Sequence, residues 1–143
     1  MTSFARPVPA LIAVLTLAAV PQAHAAALWF GVDARSSGLG ARVGAALLPV
    51  PFLGTLGLEA GAERGWNRGS TVFSTAVTLR DLNLPVTAVD AFASLGAEFS
   101  DAARLYAEGG LRGPLLGPAG WRASARARQD GHFSAGLGLE VRF

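Results

Sequence analysis

The last thirteen residues, GHFSAGLGLEVRF, alternate without interruption: Phe133, Ala135, Leu137, Leu139, Val141 and Phe143 are apolar, and the residues between them are polar or tiny. Successive side chains of a β-strand point to opposite faces, so a period of two held this long describes a strand with one apolar and one polar side. The pattern leaves open whether the apolar side meets a protein core or lipid.

The same alternation recurs seven more times, each run ending at a turn signal, and predicts strands at 28–36, 39–48, 54–66, 69–80, 87–99, 103–113, 120–128 and 132–143. Eight antiparallel strands make the commonest small closed barrel, which leaves no sheet edge exposed. Parity checks the connections, because an even hairpin loop pairs positions of opposite parity and an odd loop pairs positions of like parity. Leu28, Phe30 and Val32 are even and Leu39, Ala41 and Val43 odd, which fits a two-residue Ser37-Gly38 turn. Leu56, Leu58, Ala60 and Ala62 are followed by Phe73, Val77 and Leu79, another switch, which Asn67-Arg68 accommodates. The last two pairs of strands keep odd parity, requiring odd loops such as Ser100-Asp101-Ala102 and Gln129-Asp130-Gly131, with Gly131 left-handed.

The remaining three links carry Pro49, Pro51, Pro85, Pro114 and Pro118, every proline beyond residue 25. Proline cannot donate to a sheet ladder, so this confinement supports the strand boundaries. In an up-and-down barrel these links share one end and the four tight turns the other. Ser100 to Glu108 has competing helix propensity with Ser100 as N-cap, but the alternation continues through it and a lone helix would leave the sheet open.

Beyond residue 25 the chain has eleven arginines and ten acids, and sixteen of these twenty-one charges fall on the polar face of a predicted strand. They include Asp33, Arg42, Glu59, Asp90, Glu98, Arg104, Glu108, Arg126 and Glu140, read as an interior charge network. Arg64, Arg68, Asp81, Asp101 and Asp130 lie at or beside turns, and no charge interrupts an apolar face. Glycine is enriched on the charged face, for example Gly44, Gly96, Gly110, Gly136 and Gly138. A solvated strand gains nothing from glycine, whereas the crowded inside of a narrow barrel needs small residues, which favours charges inside. The apolar face then points outward, with aromatics near the strand ends: Trp66, Phe99 and Phe133 toward the tight turns, and Phe30, Trp121 and Phe143 toward the proline links. Two aromatic girdles around an apolar band mark a membrane barrel.

At the N-terminus, Arg6, the apolar run LIAVLTLAAV, Pro21 and the triplet Ala23-His24-Ala25 read as a signal peptide over 1–25, leaving a barrel domain at 26–143. About ten apolar residues are too few for a membrane-spanning helix, which needs ~20. The chain has no cysteine, so no disulfide holds the exported domain. Its high isoelectric point follows from arginine being its only strong base, and a nearly balanced charge gives no reason to propose a nucleic-acid partner.

With the signal peptide, the dyad repeat and a last strand ending LEVRF, the chain resembles the small eight-stranded outer-membrane β-barrel proteins of bacteria. The resemblance implies an all-β, up-and-down transmembrane barrel in the outer membrane, in contact with lipid. It also implies that Leu139, Val141 and Phe143 form the C-terminal signal read by the barrel-assembly machinery. Members of that family usually carry long extracellular loops, but here the links that should face outward are the tightest, so no loop-borne receptor or adhesin role is expected.

No catalytic, cofactor or metal constellation appears. His132, Ser134 and Asp130 sit close in sequence but read as turn and interior residues, and GLGARVG at 38–44 lacks the spacing of a nucleotide loop. Inward Trp29, Phe92 and Tyr106 read as lumen plugs. The expected function is structural, an envelope-integrity barrel or at most a very narrow pore. The alternative is a secreted, soluble, lipocalin-like barrel with reversed faces, holding a small apolar ligand.

Overall fold

The computed structural model describes residues 27–67 and 69–143, so the expected signal peptide and Arg68 lie outside the described residues. Eight strands form one closed antiparallel barrel in sequence order: β1 Leu28–Arg35, β2 Gly38–Val50, β3 Gly54–Gly65, β4 Thr71–Asn83, β5 Asp90–Phe99, β6 Ala103–Leu116, β7 Ala119–Arg128 and β8 Phe133–Arg142. Closure is made by β1 against β8, with Phe30 opposite Val141 and Ala34 opposite Leu137. Ser100 to Glu108 is a hairpin between β5 and β6, because closing the sheet outweighs local helix propensity.

Parity carries through to register. Phe99 pairs with Ala103 across Ser100-Asp101-Ala102, and Ala127 pairs with Phe133 across the turn that holds Gly131 at φ 84°. The β3–β4 ladder has the register of an Asn67-Arg68 turn, although its pairing stops at Arg64 and Thr71. The first turn differs by one residue: the bend is Ser36-Ser37, and Gly38 already belongs to β2. Gly38 cannot be spared for the turn, since it faces Gly65 so closely that a Cβ would lie 2.2 Å from the Arg64 carbonyl oxygen.

The proline end also departs from expectation. Pro49 and Pro114 lie inside β2 and β6, and β5 begins at Asp90 instead of residue 87. Each of the three hairpins linked at this end contains a register shift, between Ala46 and Leu48, Leu79 and Leu82, and Pro114 and Leu116. A bulge adds an unpaired residue and bends the strand, which lets a proline stay in it. Asp81, read from sequence as a residue beside a turn, sits within the β4 irregularity at φ 60°, a conformation Asp tolerates better than most residues. The prolines therefore mark bulged strand ends, and two of the links shrink to 51–53 and 117–118.

The faces separate sharply. Along β1 burial alternates at every residue, with Leu28, Phe30, Val32 and Ala34 exposed and Trp29, Gly31, Asp33 and Arg35 buried. Leu137 is 69% exposed while Arg112 and Arg122 are each 2% exposed. Among the described residues, the interior holds six buried arginines and five buried acids, with only Trp29, Ala76, Phe92 and Tyr106 as buried apolar side chains.

Register explains how such large groups fit. Trp29 pairs with Gly44, Phe92 with Gly110 and Tyr106 with Gly96, so each interior aromatic stands opposite a glycine on the neighbouring strand. A Cβ on Gly44 would come within 2.1 Å of the Trp29 ring, and one on Gly110 or Gly96 within 2.8 Å of Phe92 or Tyr106. Gly44→Ala is accordingly expected to destabilise the barrel by about 1–3 kcal/mol through overpacking. Gly109→Ala, whose Cβ would meet nothing closer than 3.7 Å, should be close to neutral. Chemical unfolding of both variants in detergent micelles compares them directly.

Candidate functional site

The lumen gathers nearly all of the chain's chemistry. Glu108 on β6 lies at its centre, with Arg35 at 2.9 Å, Arg122 at 2.8 Å, Arg126 at 2.6 Å and Arg42 at 3.4 Å. Glu59 on β3 meets Arg42 at 3.2 Å, Arg122 at 3.3 Å and the Trp29 indole N–H at 3.0 Å. Glu140 on β8 accepts from Arg80 and, at 3.1 Å, from Arg112. Nearer the tight turns, Glu98 bridges Arg126 and Arg128, both at 2.6 Å, and Asp33 pairs with Arg42.

Three of these contacts cross the lumen between strands half a ring apart: Arg42 to Glu108 joins β2 to β6, Glu59 to Arg122 joins β3 to β7, and Arg80 to Glu140 joins β4 to β8. The aromatics fill the space between them. Arg80 stacks on Trp29 at 3.7 Å, Arg122 on Phe92 at 3.7 Å and Arg126 on Tyr106 at 4.0 Å. Each ring is thus held between a glycine backbone and a guanidinium, the latter contact being worth about 0.5–2 kcal/mol.

Of the nine sequence-derived network residues, Asp33, Arg42, Glu59, Glu98, Glu108, Arg126 and Glu140 come together in this buried lattice. Asp90 sits at its edge, 3.7 Å from Arg112. Arg104 is a correction: its side chain is 47% exposed and faces Asp130 at 3.8 Å. It has the inward parity, but Ala103 begins β6, so Arg104 stands on the rim where water competes for it. Arg35, Arg80, Arg112 and Arg122 belong to the lattice as fully as the named residues do. Their position on the polar face is a signal for this, but not for which partner each would reach.

The lumen is nearly solid. Around Asp33, Arg42, Glu59 and Tyr106 a cavity of about 20 Å³ remains, room for roughly one water. A larger cavity of about 280 Å³ opens at the proline end against Arg112, Glu140, Arg142 and Pro114, so that the Arg80–Glu140 crossbar contributes to its wall.

His132 and Ser134 are not brought together. The His132 side chain is exposed at the turn and contacts Asp130 at 3.0 Å, whereas Ser134 is buried in the wall of the lumen. The Asp130 carboxyl accepts the His132 backbone N–H, which holds it below the usual carboxylate range. Among the described residues no cluster of His, Cys, Asp and Glu could hold a metal ion.

On the outer wall, Trp66, Phe99 and Phe133 are exposed toward the tight turns, joined by Phe73, which pairs with Phe99. Phe30 and Phe143 are exposed toward the other end. Trp121 is only half-buried and lies over Gly113, its cross-strand partner. Leu139, Val141 and Phe143 share the outward face of β8, and Phe143 exchanges backbone hydrogen bonds with Leu28.

Enclosed ions, apolar exterior and closed eight-stranded order define the architecture of a small transmembrane β-barrel. The chain is similar to the crystal structure of the N-terminal β-barrel domain of Pseudomonas aeruginosa OprF, with a TM-score of 0.58 and 16% identity over 82% of this chain and 97% of that one. It is also similar to a de novo designed transmembrane β-barrel, with a TM-score of 0.59 and 12% identity over 87% and 100% of the two chains. Neisserial surface protein A, NspA, matches with a TM-score of 0.47 and 13% identity over 82% and 94%. No protein-family model matches the sequence, and no curated protein does. At these identities the likeness to the OprF domain and to the designed barrel establishes the fold.

Proposed function

We propose that this protein is an integral outer-membrane β-barrel with a closed lumen, serving a structural role in the envelope. The observation that carries the reading is the inversion of its faces: leucine, valine and phenylalanine cover the outside, and eleven buried ionised groups fill the inside. Exposing so much apolar wall to water is strongly unfavourable, and lipid is the solvent that relieves it. A soluble barrel with an apolar ligand inside needs the opposite arrangement.

Membrane fractionation tests the reading. The protein should resist carbonate washing and migrate on gels with heat-modifiable mobility, whereas soluble monomer after washing would favour the ligand-binding alternative. Reconstituted into planar bilayers, it should pass no resolvable ion current, because crossbars and ring stacks occupy the section a permeant ion would need. Steady open channels under these conditions would overturn the closed-lumen reading.

The reading extends to biogenesis, with Leu139, Val141 and Phe143 as the signal for the barrel-assembly machinery. Phe143 is tied to β1 through its backbone, so Phe143→Ser should change folding stability in detergent by about 1 kcal/mol or less. The same change should sharply reduce assembly in cells. Equal loss in both measurements would mean a purely structural role for the residue.

A further inference from the structure

The two ends of the barrel differ in a way that a uniform membrane-spanning wall does not explain. The tight turns are polar, with Ser36, Ser37, Asn67, Ser100, Asp101, Gln129, Asp130 and His132. The links at the opposite end contain no charge: Pro51-Phe52-Leu53, residues 84–89 as LPVTAV, and Gly117-Pro118. Phe52 and Val86 are fully exposed at their tips, and Leu53, Leu115, Leu116 and Phe143 are exposed around them. Phe52 and Val86 have left-handed backbones, φ 65° and 68°, where glycine would relieve the strain. The inner side of the same mouth is ionic, with Asp81, Arg112 and Arg142 in contact.

Length gives the apolar tips a role. The regular outward positions of β6, Ala103 to Gly113, cover ~26 Å of membrane normal at a rise of about 3.4 Å per residue and a tilt near 40°. A transmembrane barrel presents an apolar band about 25 Å tall. On β6 that height is already reached at Gly113, and Leu115 and Leu116, beyond the bulge, carry the apolar wall past it to the acyl–headgroup boundary. The bulged ends and tips continue the lipid-facing wall without a charged residue in any of the three links.

We infer that this rim is immersed in the bilayer, and that its occupant is the boundary between acyl chains and headgroups of the adjacent leaflet. The barrel is therefore seated asymmetrically, its tight-turn end at the opposite headgroup layer and its other mouth drawn down into lipid. The inference rests on the membrane-barrel reading, and one experiment separates the two. Because the chain lacks cysteine, single cysteines report local surroundings without background. Phe52→Cys, Val86→Cys, Leu137→Cys and Ser100→Cys are each nitroxide-labelled and folded into phosphatidylethanolamine–phosphatidylcholine vesicles, and accessibility to oxygen and to an aqueous nickel chelate is measured. Labels at 52 and 86 should match 137 in their oxygen-to-chelate ratio within about threefold, and exceed 100 by roughly tenfold, since water is scarce at acyl depth. Labels at 52 and 86 that behave like 100, while 137 remains lipid-like, would overturn the immersed rim and leave the membrane barrel standing. Shielding from both reagents would mean that protein, such as a second copy of the chain, covers the rim, and would overturn it equally. A chelate-accessible label at 137 would remove the membrane reading itself.

Discussion

Glu108→Gln is expected to be the most damaging single substitution in the barrel, lowering its stability by about 3–5 kcal/mol or more. Four guanidiniums, from Arg35, Arg42, Arg122 and Arg126, lie within 3.4 Å of that one carboxylate. The amide keeps the volume and removes the charge, leaving four buried cations around a neutral group. Urea unfolding in lipid vesicles, followed by gel mobility, measures the loss. A second substitution should return part of it: Glu108→Gln with Arg126→Met removes the cation that stood nearest the lost carboxylate, so the pair is expected to be less damaging than the sum of its parts. Arg104→Ala is the control on the same strand and should fall within about 0.5 kcal/mol of the parent, since its ion pair is exposed. If Glu108→Gln proved as mild as Arg104→Ala, the lattice would be space-filling only.

Leu137→Arg is the counterpart on the outer wall. Leu137 lies midway along β8, between Ala34 and Ala123 on the flanking strands, and nothing in the barrel covers it. An arginine facing lipid at mid-depth is expected to cost about 2–4 kcal/mol. In a protein whose exterior faced water the same change would be harmless or would improve solubility, so the sign separates the two environments. Leu137→Ala, which keeps the site apolar, should be much milder. Folding yield and unfolding midpoint in lipid distinguish these outcomes, and an unimpaired Leu137→Arg would argue strongly against a lipid-facing wall.

The two substitutions probe opposite faces of one sheet, and the separation of those faces is legible in the sequence. Alternation is a property of the strand itself: a residue at β1 such as Asp33 must point away from Val32 whatever the rest of the chain does. Turn parity adds register, which is why the hairpins at Ser100-Asp101-Ala102 and Gln129-Asp130-Gly131 pair as read. Once register is known, glycine opposite aromatic becomes visible too, as with Gly44 and Trp29. Arg104 shows the limit, because parity says which side a residue takes but not how far along the barrel it stands.

Local sequence thus decided the number of strands, the side each residue takes and the pairing across the two three-residue turns, because these depend on neighbours a few residues apart. Ring closure decided the rest. Glu59 and Arg122 are 63 residues apart and meet only because the sheet brings β3 and β7 to opposite walls of one narrow lumen. The bulges beside Pro49 and Pro114, and the apolar rim they project, likewise arise where strands must bend to complete the circle.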